Sequence, residues 1–242
     1  MELLPAPPPG ATDAEVPWTG LAALAVFPIS LLLTIVALGL TQSVLGQDAG
    51  DLSTGVNLIL GVVPLGLTAT AYVAVRHPGQ VRALFGPARP TFNDVGIGVA
   101  WGLAAFVGLN VVLGFLIELL AQLVGFRIPD TQVQLREIGE NPSLAPLFLL
   151  STVLLAPLAE EVFFRGLLFQ GLRRTLAVWP AAMLSGLAFG LAHGEVLAIL
   201  LTGLFGISLC RLLAWRQTLV ASISAHAAFN AIGALAIVLG GS

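Results

Sequence analysis

The sequence contains no lysine. All ten of its basic residues are arginine, spread over 242 positions. Charged residues of every kind make up 10% of the chain, where a soluble globular domain carries about 25%. A surface wetted on all sides cannot be assembled from so few charges, which excludes a soluble globule. Cysteine is nearly missing too: Cys210 is alone, so no internal disulfide can form, and it has no neighbour at metal-ligand spacing. No internal repeat is visible, which counts against an inverted-repeat transporter. The net charge of −3 offers no basic surface, and no nucleic-acid partner is expected. The opening stretch MELLPAPPPGATDAEVP, residues 1–17, is proline-rich, acidic and without a basic residue. It therefore lacks the basic start of a signal peptide and reads as a disordered tail.

What fills the chain is apolar sequence: 57% hydrophobic residues and a mean hydropathy of +0.97. The runs are continuous rather than alternating, so the expected fold is all-α, a polytopic membrane bundle, with residues 18–242 as one helical membrane domain. A crossing helix needs about 20 apolar residues. Seven candidates satisfy or approach this, within a range of six to eight: Trp18–Leu45, Val56–Val75, Asp94–Val124, Leu144–Leu172, Trp179–His193, Val196–Leu213 and Thr218–Leu239. The third is long enough to tilt or project, and the fifth is the shortest.

Arginine placement orients these spans. Arg76, Arg82 and Arg89 follow the second, Arg173 and Arg174 follow the fourth, and Arg211 and Arg216 bracket the end of the sixth. With seven crossings the three clusters share one side, which the positive-inside tendency makes cytoplasmic. The N-terminus is then inside and the C-terminus outside. The cellular setting expected is a bacterial inner membrane.

Against this background the stretch AEEVFFRG, residues 159–166, is out of place. Helical rise sharpens the point. Glu160 lies about 18–20 Å from the Arg173–Arg174 boundary, His193 about 21 Å from Trp179, and His226 about 15 Å from Arg216, with Asn230 one turn deeper. In a hydrocarbon core about 30 Å thick, three helices bring their costliest side chains to a common depth. Ionisable groups at that depth are functional candidates by default.

Plainer roles exist for each residue. Glu161 and Arg165, four apart, form a structural ion pair along one helix face. His193 can bond a backbone carbonyl, with Phe189 packed under its ring. His226 and Asn230 can act as interhelical glue. Glu160 is explained least, because its neighbour has claimed the arginine and it points about 100° away, the turn per residue of a 3.6-residue helix. Pro157, one turn earlier, should loosen the helix there. Elsewhere, Asn110 lies near mid-bilayer and suits helix packing better than a role behind the site. Glu118 falls near the outer boundary, and Glu195 starts a loop.

A carboxylate and an imidazole in an apolar cavity can activate water, while a second imidazole and a carboxamide donate to an oxyanion. Glu160 with His193, and His226 with Asn230, would together hydrolyse a peptide bond without a serine or cysteine nucleophile. Ser222 and Ser224 have no nucleophile-elbow motif around them. Zinc is the alternative, held by Glu160, His193 and His226; metal-free water activation is preferred because no HExxH is present. A proton- or ion-coupled transporter using the buried Glu/His cluster, and a non-enzymatic scaffold, are the rival readings.

The motifs EEVFFR, FGLAH and HAAFN, in that order over about residues 144–235, resemble the EExxxR, FxxxH and HxxxN motifs of the CPBP (Abi) family of intramembrane proteases. The resemblance implies Glu160 as general base, Glu161 and Arg165 as supports that orient the site, and His193, His226 and Asn230 as the remaining site residues. It also implies a peptide or protein substrate, lipid-modified or bacteriocin-like. The family has been described both as metalloprotease and as glutamate-dependent.

Overall fold

The computed structural model describes residues 16–45, 50–126 and 133–240. Of the expected tail at residues 1–17, residues 1–15 lie outside them. Val16 and Trp18, just beyond, are buried, and the Trp18 indole donates to the Leu167 carbonyl at 3.0 Å. The described residues form helices joined by short turns, with no strand among them. In chain order these are α1 (Gly20–Leu45), α2 (Asp51–Arg76), α3 (Phe92–Leu123), α4 (Val133–Glu140), α5 (Ala145–Arg173), α6 (Val178–Leu191), α7 (Val196–Arg216) and α8 (Leu219–Gly240).

Six of them are long and apolar enough to cross a membrane: all but α4 and α6. The protein is a multi-pass, all-α integral membrane protein. At 14 residues α6 spans only about 21 Å, short of a bilayer core, which makes it the doubtful fifth span of the sequence reading. Two boundaries move. α2 begins at Asp51 rather than Val56, so residues 51–55 are helical as well. The expected loop between the third and fourth spans contains α4.

The arginine-bearing ends gather on one face. Arg216 pairs with Asp94 at 2.8 Å, joining the end of α7 to the start of α3. Arg174 donates to the Pro17 carbonyl at 3.0 Å, and the Ala88 amide to the Gln217 carbonyl at 3.0 Å. α3 and α8 both start from this face and run parallel. Small residues let their backbones close up: a Cβ at Gly98 would strike the Ala221 carbonyl, and one at Gly102 the Ala225 carbonyl. α6 and α7 meet in the same way through Gly186, Gly190 and Gly203.

α5 is the axis of the bundle. Every residue from Glu161 to Phe169 is buried, in a segment whose aromatic rings interlock: Phe163 with Phe164 at 5.0 Å, and Phe164 with Phe189 at 5.1 Å. A membrane helix touching only lipid needs no such enclosure. Here α1, α2, α6, α7 and α8 all pack on α5, so its polar groups are sealed from the hydrocarbon.

Candidate active site

Regular α-geometry gives way to wider π-helical turns at three places: Phe106–Leu113 in α3, and Leu150–Leu155 and Glu161–Phe169 in α5. Such turns concentrate at functional sites. They carry Asn110, Thr152, Glu161 and Arg165, and the last two of those turns flank Pro157, whose missing N–H already weakens the ladder.

The buried half of the site is a chain of charge. Arg165 and Glu161, both fully buried, pair at 2.9 Å, and the guanidinium also donates to the Gly206 carbonyl at 3.3 Å while lying 4.3 Å from the centre of the Phe189 ring. Glu161 Oε1 stands 3.0 Å from His226 Nδ1. The other ring nitrogen, Nε2, stands 3.6 Å from Glu160 Oε2. Two consecutive carboxylates thus converge on one imidazole. The 100° between neighbouring side chains left the two carboxylates free to take separate partners; here they share one. The wider turn that begins at Glu161 rotates the chain less per residue, and an imidazole with nitrogens on opposite sides bridges the remaining angle.

Phe189 and Phe205 fix the His226 ring edge-on, at 5.6 and 5.5 Å, and Phe205 stacks on Phe229 at 4.1 Å. His193 lies on the far part of the same aromatic group, 4.8 Å from Phe189, with Nδ1 2.8 Å from the Phe189 carbonyl. A carbonyl only accepts, so Nδ1 carries the hydrogen and Nε2 is left free. The plainer role for His193, a bond to backbone, is therefore met by one nitrogen alone. Asn230 donates from its amide to the Thr152 carbonyl at 2.9 Å, a bond from α8 to a π-helical turn of α5; its second N–H remains.

Beside this cluster is a cavity of about 1510 Å³. His193 and Asn230 line it, together with Asn110, Thr152 and Thr202; Glu160 and His226 are not part of its wall. Glu140, Glu195 and Gly240 also line it, so it extends to the face opposite the arginine clusters. Glu195, expected to start a loop, is the extended residue just before α7 and part of this wall.

No three histidine, cysteine, aspartate or glutamate side chains among the described residues converge closely enough to hold a metal ion. The alternative zinc set Glu160, His193 and His226 does not form such a group as its side chains stand.

Comparison with known proteins places this core. Residues 142–232 match the sequence model of a family described as "Type II CAAX prenyl endopeptidase Rce1-like". These residues contain EEVFFR, FGLAH and HAAFN, the motifs around which the site is built. A protein of Bacillus subtilis (strain 168) named "Putative membrane peptidase YdiL" is 25% identical over 145 residues, which cover 57% of this chain and 56% of that one. The match thus spans about half the length of that relative. No solved structure matches the chain significantly.

Three elements of this site had no signal in the sequence: the Gly206 carbonyl, the Thr152 carbonyl and the Phe205 ring. Backbone acceptors carry no residue-type label, and a phenylalanine among 13 is not distinguishable until the fold brings it to an imidazole.

Proposed function

We propose that the protein is an intramembrane endopeptidase that hydrolyses a peptide bond of a membrane-associated protein or peptide by metal-free water activation. The observation that carries this is His226, clasped between Glu161 and Glu160 beside a cavity of about 1510 Å³. That volume exceeds the ~300–1,000 Å³ of ordinary small-molecule sites and suits a length of chain. Glu160, its side chain 18% exposed, is the general base. His193 offers Nε2 to the same water from the cavity wall.

In the reaction Glu160 takes a proton from water and the hydroxide adds to the scissile carbonyl carbon. The oxyanion receives donors from His226, which in its protonated form donates through Nδ1 to Glu161 and through Nε2 to the oxygen, and from the second N–H of Asn230. The C–N bond then breaks as the proton passes from Glu160 to the departing nitrogen, leaving a carboxylic acid and an amine. Glu161 and Arg165 hold the imidazole and are not themselves reactive. The arginine face is cytoplasmic in this proposal, so the cavity opens on the outer side of a bacterial inner membrane. Residues 18–242 act as one domain with 144–235 as its catalytic core.

The test is cleavage of candidate membrane peptides by purified protein in detergent. Wild type should cleave, and Glu160→Ala and His193→Ala should not. Equal rates for all three would remove the assignment.

A further inference from the structure

Asn110 has no assigned part in the site, and it comes from α3, outside the matched residues 142–232. From its position near mid-bilayer, helix packing was the expected role. A packing carboxamide bonds across the helix interface, because an unpaired polar group at this depth is costly. Asn110 is half-buried, lines the cavity and has no hydrogen-bond partner among the described residues.

The register of α3 against α8 explains why. Gly98 meets Ala221, Gly102 meets Ala225, and the Phe106 ring stands edge-on to Phe229 at 5.5 Å. Each step is four residues on both helices, so the next pair is Asn110 and Gly233. There the two helices no longer touch: a Cβ on Gly233 would have nothing within 4 Å, and both residues line the cavity. The π-helical turn Phe106–Leu113 lies where this seam opens. A closed seam thus ends on a carboxamide with both N–H groups and its oxygen unspent, whereas Asn230, the other carboxamide in the wall, has one N–H committed to Thr152.

We propose that Asn110 is a substrate-binding residue whose carboxamide hydrogen-bonds the backbone of a peptide lying in the cavity. A primary amide offers one acceptor and two donors, the complement of an extended peptide unit, and has nothing to offer a hydrocarbon chain. The nature of the ligand rests on the endopeptidase reading above.

The experiment uses the full chain in lipid nanodiscs with a pool of dye-labelled, apolar twelve-residue peptides. Affinity is measured by fluorescence anisotropy on Glu160→Gln, with and without Asn110→Leu or Asn110→Gln. Asn110→Leu should weaken binding of the bound peptides about three- to tenfold, as for one or two neutral hydrogen bonds, and Asn110→Gln should recover part of it. In the cleaving protein Asn110→Leu should raise KM by the same factor and leave kcat within about twofold, as loss of uniform binding requires. Its melting temperature should equal or exceed that of wild type, since an unpaired polar group has been removed. Unchanged affinity in Asn110→Leu, a lowered melting temperature with unchanged affinity, or a pool from which Glu160→Gln binds no peptide would each overturn the proposal. If the wild type binds but never cleaves, while Asn110→Leu still weakens binding, the endopeptidase reading fails and the role of Asn110 stands.

Discussion

The carboxylate of Glu161 holds Nδ1 of His226 at 3.0 Å, across 65 residues of sequence and between two helices. Both side chains are buried, and Arg165 Nη1 approaches the same Glu161 oxygen, Oε1, at 2.9 Å. A carboxylate in that position accepts from Nδ1–H and turns Nε2 toward Glu160.

Breaking this chain at its centre should cost stability as well as activity. Glu161→Gln leaves Arg165 buried without its counter-ion, and removing one partner of a buried pair costs about 3–5 kcal/mol. The double variant Glu161→Gln/Arg165→Met should regain much of the melting temperature and none of the cleavage. Thermal unfolding in detergent beside a cleavage assay separates the two.

Glu160→Gln should behave differently. Glu160 is only partly buried and its nearest charged partner is at 3.6 Å, so the change should leave the melting temperature within the range of an ordinary surface substitution. Cleavage should fall by about 10²–10⁴, the usual contribution of a general base. A parallel loss of folded protein would point to a structural role instead.

The two histidines should also separate. His226 is 3% exposed and braced by two carboxylates and two rings, so His226→Ala should lower both stability and rate. His193, in the turn after α6, is open to the cavity and bonds only the Phe189 carbonyl of that helix, so His193→Ala should keep the fold and lose the rate. Melting curves that drop equally for both would contradict this geometry.

Gly102→Ala tests the seam that sets the depth of His226. The added methyl group meets the Ala225 carbonyl, a backbone atom that cannot turn aside, one residue before His226. Overpacking of this kind costs about 1–3 kcal/mol, and the shift of α8 should reduce cleavage although Gly102 touches no site residue.

Cleavage should survive prolonged treatment with a strong chelator, verified by elemental analysis of the treated protein. Activity that disappears with chelation and returns with zinc would overturn metal-free water activation.

Much of this was legible in the sequence because membranes impose one-dimensional rules. A chain with 10% charge and continuous apolar runs has no choice but to cross a bilayer as helices, which satisfy their own backbone. For the same reason the few polar residues deep in those helices, Glu160, Glu161, Arg165, His193, His226 and Asn230, stood out by cost alone. The side shared by the arginine clusters followed from counting crossings, even with α6 too short to be a sure one. Which partner each polar residue takes was not encoded at that level. Helical spacing assumed 3.6 residues per turn, and the π-helical segment from Glu161 to Phe169 departs from it, so both glutamates reach His226. The pairing of Glu160 with His226 rather than His193, the bond from Asn230 to Thr152, and the opening of the α3–α8 seam at Asn110 and Gly233 all depend on register between helices distant in sequence. Register is decided by where glycines allow backbones to touch, and only the packed bundle reveals it.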